Sequence, residues 1–308
     1  MLGLSSSRHA VSGTTEKLVP RKVSFDWSNT PVDWIPDEAF VSHFVNEINL
    51  LLPAGEFWFC KLYNKALPLI TDAKLREDVQ GFMRQEAMHA RAHAGALEQY
   101  LAERGLETAS NIRFENWLFD VALADEPFGR KLPKFAQREW LVFRLGVVAA
   151  VEHMTCVLGR YVLEDTAEWD RRGADPTLMD LVRWHGAEEV EHRCVAFDVY
   201  RHLGGSYPSR YYLACITMPM VFGLWVRGAA HLMQQDARFA THKPSALRPW
   251  IWWQWWRNAR RGLLPSPFWL ARREVPFFMP GYDPLNEAST EVAQRYLDSS
   301  PAALRAAA

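Results

Sequence analysis

The sequence is short of the features that mark several functional classes. It holds four cysteines, Cys60, Cys156, Cys194 and Cys215, and none forms a Cys-x-x-Cys pair. This argues against a structural zinc site or a disulfide framework, and reads as reduced core thiols of a cytoplasmic protein. Neither sign of charge is in excess, with 35 Lys and Arg against 36 Asp and Glu. The general electrostatic case for a nucleic-acid partner is thereby removed. The longest apolar run, Tyr211 to Val226, is interrupted by Pro219. It falls short of the roughly 20 residues of a membrane span and reads as a buried helix. The opening segment MLGLSSSRHAVSGTTEKLVPRK has no apolar core, so it does not read as a secretory signal. Strand-like alternation is almost missing, and the expected class is all-α.

What is present in quantity is hydrocarbon. Apolar residues make up 49% of the 308, and 14 of them are Trp. So many large side chains, each with a single N–H to satisfy, imply thick apolar layers, a greasy cavity or an interface. Residues 1–36, rich in Ser, Thr and basic groups with Pro20, Pro31 and Pro36, read as a poorly ordered arm. Residues 37–248 carry the helical period and read as the main bundle. Pro53 is expected to interrupt a first stripe and open a new helix, because proline is tolerated in a first turn. Further helices are expected over about 72–104, 134–167, 175–202 and 208–236, with Gly105 and Gly204-Gly205 as stops. Residues 249–308 form a Trp- and Arg-rich extension. It reads either as a lid on the bundle or as a basic aromatic surface for peripheral membrane contact.

Two helical segments repeat one arrangement. Glu86-Ala-Met-His89 and Glu189-Val-Glu-His192 each set a carboxylate and an imidazole three residues apart, about one turn, so both point the same way. Two other helices bring isolated carboxylates into apolar stretches: Glu56 in PAGEFWF and Glu152 in VVAAVEHMT. An unpartnered buried carboxylate costs several kcal/mol, so Glu152 after Val147-Val148-Ala149-Ala150-Val151 asks for a cation. A single Glu-x-x-His is more often a solvated face than a ligand pair. Two of them, each preceded by a lone Glu, are much harder to read that way. The order Glu, Glu-x-x-His, Glu, Glu-x-x-His over four helices is that of the ferritin-like di-iron and di-manganese bundles. Two close divalent ions need several anionic oxygens to offset their repulsion, and one imidazole per ion suits iron or manganese.

Other residues adjoin this set. Glu47 rivals Glu56, which is preferred because Phe57, Trp58 and Phe59 follow it and Pro-Ala-Gly allows close helix approach. Glu188 and Glu191 are turned away from Glu189 and are expected to face neighbours or solvent. His185 shares a face with Glu189 and His192 and is read as a further metal ligand. His93, one turn past His89, is read as an outer partner or extra ligand. His153, rotated about 100° from Glu152, is read as a packing or hydrogen-bonding residue.

The pattern His185-x-x-x-Glu189-x-x-His192 resembles the arylamine N-oxygenase branch of di-iron proteins, whose last helix supplies an additional histidine. From roughly Trp27 to Asp283 the chain also resembles a bacterial family catalogued as predicted metal-dependent hydrolases. The resemblance rests on PAGEFWF, QEAMHARAH, VEHMT, HGAEEVEHR and Pro-Gly-Tyr-Asp-Pro at 280–284. The ligand set implies a non-haem di-iron oxygenase, with two Fe ions (or Mn) as cofactor and O₂ as co-substrate. Its partners would be a small hydrophobic substrate and an external electron donor. A dinuclear hydrolase is the main alternative, disfavoured because such sites carry mixed His/Asp ligands on loops; a non-catalytic iron-binding or redox-sensing bundle is a third.

Overall fold

The computed structural model describes residues 17–307, and among these there is no strand. Ten helices precede the second half of the extension: α1 (Ala39–Asn46), α2 (Ile48–Ala66), α3 (Ala73–Ala96), α4 (Ala109–Trp117), α5 (Lys134–Glu164), α6 (Ala167–Arg171), α7 (Pro176–His192), α8 (Val195–His202), α9 (Tyr207–Gln234) and α10 (Pro249–Arg260). They are followed by α11 (Pro267–Glu274), α12 (Thr290–Leu297) and α13 (Pro301–Ala307). The all-α expectation holds.

Local chemistry sets several of these boundaries. Asp175 accepts the Leu178 N–H at the start of α7, with Pro176 in the first turn. Ser206, Ser266 and Ser289 do the same for α9, α11 and α12, each satisfying a donor that helix geometry leaves orphaned. Gly105 follows the π-helical turn Leu97–Ala102 with φ +80°, a conformation that glycine adopts freely. Two boundaries differ from expectation: the helix expected over 175–202 stops at His192 and restarts at Val195 as α8, and the first stripe breaks before Pro53. The break falls at Glu47, and Pro53 sits inside α2 as its sixth residue. The ring removes one backbone hydrogen bond, while the helix continues because Leu50, Trp58, Phe59 and Leu62 bury its flanks.

The bundle pairs α2 with α3 and α5 with α7, and α9 packs across α5 and α1. Gly159 and Gly186 let α5 and α7 touch backbone to backbone. A Cβ on Gly159 would stand 2.5 Å from the Gly186 carbonyl oxygen. By length and composition α5 and α9 are both apolar enough to cross a membrane, which the Pro219 interruption had masked for α9. The apolar window of α5 is 67% buried and that of α9 50%, as core helices also are.

The poorly ordered arm is corrected for residues 17–36, while residues 1–16 lie outside the described residues. Leu18, Trp27, Trp34 and Ile35 are buried, and Trp34 meets Trp169 edge-on at 5.2 Å. The Trp34 carbonyl accepts the Asp175 N–H (2.7 Å), and Arg21 donates to Glu188 (2.8 Å) and Glu191 (2.9 and 3.0 Å). Burial of two Trp side chains, each removing a large apolar area from water, explains why this polar segment lies down on the bundle. At the other end Asp180 of α7 accepts from Tyr296 (2.9 Å), Ser300 (2.7 Å) and the Ala302 N–H (2.8 Å).

In the extension, α10 buries Ile251 and Trp255 against the bundle and exposes Trp252, Trp253 and Trp256. The Arg257 and Arg260 guanidinium groups lie 5.8 and 4.9 Å from the Trp253 and Trp256 rings, so the exposed face carries both cations and indoles.

Glu47 lies at the α1–α2 break, where Asn111 donates to both of its oxygens (3.4 and 3.2 Å) and Gly228 makes room for the carboxylate. Burial and the neighbouring Glu115 hold Glu47 well above the usual carboxylate range, and burial pushes Glu115 up to about 8, with Arg227 working against it. A carboxyl whose folded pKa is raised binds its proton more tightly in the native state. The Glu115 contribution to stability is therefore lost as pH rises from the unfolded value toward about 8. Thermal unfolding should show a midpoint that falls over this range. In Glu115→Gln the slope should be visibly smaller; an unchanged slope would exclude Glu115 as its source.

Candidate metal centre

Four helices each send a carboxylate to one point between them: α2 supplies Glu56, α3 Glu86, α5 Glu152 and α7 Glu189. All four are buried, as are His89, His93, His185 and His192. The helical period does this work. Glu86 and His89 lie one turn apart on α3, and His185, Glu189 and His192 run along one face of α7.

The donor atoms fall into two overlapping groups. Glu86, Glu152, Glu189 and His192 bring one atom each within 4.8 Å of one another. On the other side Glu56, Glu86 and His89 do so, as do His89, His185 and Glu189, and Glu56, His93 and His185. Glu86 and Glu189 thus belong to both halves, the position of carboxylates that can bridge two ions. His192 Nε2 lies 3.2 Å from Glu152, 3.3 Å from Glu86 and 3.4 Å from Glu189. His89 turns Nδ1 inward, 3.4 Å from Glu86 and 3.5 Å from Glu189.

Whether a cation fits can be asked of the hydrogen bonds. Glu56 Oε2, both oxygens of Glu86, Glu152 Oε2, His89 Nδ1 and His192 Nε2 are buried without a hydrogen-bond partner. So many unpaired polar atoms facing one another would each cost free energy, and they fit a pair of divalent ions. Formal charge agrees, since four carboxylates balance two doubly charged cations. Burial, then Glu86, raises Glu56 well above the normal carboxylate range; burial, then Glu189, does the same to Glu152. Burial opposes ionisation of Glu189 too, yet His192, His185 and His89 hold it well below that range. Without cations the cluster keeps protons that ions would displace.

Outer partners fix the ligand atoms. The outward Nε2 of His89 pairs with Glu188 (3.0 Å), which Arg21 in turn holds. His192 Nδ1 pairs with Gln85 (3.2 Å). His185 runs from Glu189 (Nε2, 2.8 Å) to His93 (2.6 Å), and His93 continues to Asn49 (2.9 Å). Thr155 donates to Glu189. Such contacts orient imidazoles and tune their basicity toward a metal. Glu188, Gln85, Asn49, Thr155 and Arg21 were missed as site residues. Asn49 had a signal, lying two turns before Glu56 on the same face; Arg21 had none.

The remaining sequence candidates lie outside the cluster. Glu47 binds Asn111 and is not among the grouped donors, whereas Glu56 is. His153 pairs with the Tyr282 hydroxyl (2.9 Å) and stacks on Phe277. Glu191 takes Arg21 and Gln85. A separate triad, Asp33, His43 and Asp236, also brings donors together, but Arg238 bonds both carboxylates and supplies the cation itself.

Beside the cluster is a cavity of about 540 Å³, within the range of small-molecule sites. Glu56, Glu86, Glu152, Glu189, His93 and His185 form its polar end. Most other walls are hydrocarbon, from α2, α5, α9, α11 and the π-helical turn Leu118–Ala122. Exposed Cys215 and Met220 line it as well, so it reaches the surface.

An all-α bundle whose inner face gathers acidic and imidazole donors around cation-sized gaps defines a metal-dependent class. A family model described as predicted metal-dependent hydrolase matches residues 19–288, and the chain belongs to that family. No curated protein and no solved structure matches the chain.

Proposed function

We propose that this protein is a non-haem oxygenase of the ferritin-like kind, holding two iron ions, or manganese, and oxidising a hydrophobic organic molecule with O₂. The observation that carries this reading is the sharing of Glu86 and Glu189 between two donor groups that open directly onto an apolar cavity. Glu56, Glu86, His89 and Glu189, with His185 or His93, would hold one ion; Glu86, Glu152, Glu189 and His192 would hold the other. Two redox-active ions would supply O₂ activation. The chain's own residues do the rest. Glu188 and Gln85 fix which nitrogen of His89 and His192 faces inward, Thr155 orients Glu189, and the hydrocarbon walls exclude water and hold the substrate against the cluster. An external donor would return the electrons.

Hydrolysis is the second reading, favoured by the description of the family. Ions held by the same residues would supply Lewis-acid activation of water toward an ester or phosphoryl group. The donor set supports oxidation instead, because carboxylates that can change their mode of binding suit ions that change charge. The test is to load the metal-free protein with Fe(II) anaerobically, admit O₂ and follow oxygen uptake beside hydrolysis of a p-nitrophenyl ester. Uptake tied to Fe(II), lost in Glu86→Ala, is expected. Ester turnover with Zn(II) and no oxygen uptake with Fe(II) would overturn it.

A further inference from the structure

One charged group stands on the cavity wall outside the metal cluster. Among the described residues lining it, the acidic ones are Glu56, Glu86, Glu152, Glu189 and Glu274, and only Glu274 takes no part in the grouped donors. It ends α11, so the C-terminal extension delivers it, along with Pro267, Leu270 and Ala271 of the same wall. Leu270 and Ala271, one turn before it on α11, line the same cavity with hydrocarbon.

The protein itself leaves this carboxylate incompletely answered. Its Oε2 is buried and makes no hydrogen bond. His153 Nε2 comes to 3.2 Å without the alignment a hydrogen bond needs, and it too is unpartnered. The His153 ring is held elsewhere, by Tyr282 on Nδ1 and by Phe277 across its face. Arg273, the adjacent cation, lies 5.7 Å from the Trp269 ring. A cavity-wall carboxylate oxygen that makes no hydrogen bond, with a single imidazole beside it, is a polar anchor of the sort that fixes orientation in small-molecule sites.

We propose that the cavity binds an amphiphile whose apolar body lies along the hydrocarbon walls and whose ammonium end is received by Glu274. This rests on the reading of the cavity as the substrate site beside the metal cluster. It adds a direction to that reading: the charged end points to the extension, and the hydrocarbon reaches toward Glu86 and Glu189. A carboxylate or sulfate end is disfavoured there, because it would bring two anions together in a wall with few donors. An alcohol would gain a weaker hydrogen bond than a cation does.

Calorimetry on the full chain tests this with dodecylamine, dodecanol and dodecanoate, each below its micelle concentration and with no turnover required. Dodecylamine should bind about tenfold more tightly than dodecanol, and dodecanoate most weakly. Glu274→Gln should bring amine and alcohol to near equality, while Glu274→Asp should keep part of the preference. Glu274 is a partly exposed residue at a helix end, so both variants should fold, which circular dichroism checks. Equal amine preference in Glu274→Gln would overturn the proposal. So would a preference that survives there but vanishes in Glu189→Gln, since the ammonium would then sit at the cluster. Binding that follows the proposal without any oxygen uptake would leave the amphiphile site standing and remove the oxygenase reading alone.

Discussion

Glu189→Ala should bind less than about one metal ion per chain after anaerobic Fe(II) reconstitution, and the native protein should bind about two. The size of the effect follows from geometry. Glu189 is the residue common to the His89–His185 group and to the Glu86–Glu152–His192 group, so its removal weakens both halves together. It also leaves His185 and Thr155 without their acceptor. Substitution of a ligand confined to one half, such as Glu152→Ala, should leave about one ion in the other. The check is metal content by mass spectrometry with iron titration of the apo-protein. Near-native occupancy in Glu189→Ala would undo the dimetal assignment. Metal should also protect the fold, since an ion at a hundred times its dissociation constant adds about 2.7 kcal/mol. The melting point of the native protein should therefore rise on loading, and that of Glu189→Ala should not.

The second large effect is expected at a residue that offers no donor atom itself, the glycine that follows His185 on α7. Gly186→Val would place its Cβ 2.7 Å from Val162 and 2.8 Å from the Gly159 Cα. The second of these is backbone and cannot rotate away, so α7 must move off α5. Overpacking of this kind costs about 1–3 kcal/mol and sometimes more. It also separates Glu152 from Glu189, which the two helices carry toward each other. Both the melting point and iron affinity should fall. Gly223→Ala is the control. Open space surrounds that glycine on α9, and alanine has the better helix propensity, so stability should hold or rise slightly. Equal tolerance at both positions would show that the close approach is not required.

These two residues illustrate what was readable in the chain and what was not. The six residues expected as core donors come together in the structure, and their pairing was readable because a three-residue spacing is one helical turn whatever the helix packs against. The same spacing rule placed His185 on the face of Glu189. Choosing Glu56 over Glu47 needed a neighbour argument, since both follow apolar stripes; what separates them is the break at Glu47, which swings its side chain to Asn111. Glu188 and Gln85 escaped because their roles depend on how α3 and α7 are set against each other, and no spacing within one helix encodes that. Arg21 escaped for a further reason. It lies 167 residues from Glu188, in a segment whose composition is that of a loose arm but which buries Leu18, Trp27 and Trp34. Pro53 misled in the opposite way: a helix breaker by itself was overridden by tertiary burial on both sides.

The pinning of α7 at both ends bears on the order in which the molecule can be made. This helix carries three of the donors, and it is held by Arg21 near one end and by Tyr296, Ser300 and Ala302 near the other. On a translating ribosome, α2, α3 and α5 are synthesised well before those last contacts exist. A nascent chain halted before Tyr296 would carry every donor yet lack the clamp on Asp180. The metal centre should therefore mature late in synthesis, after residues 296–302 have cleared the exit tunnel.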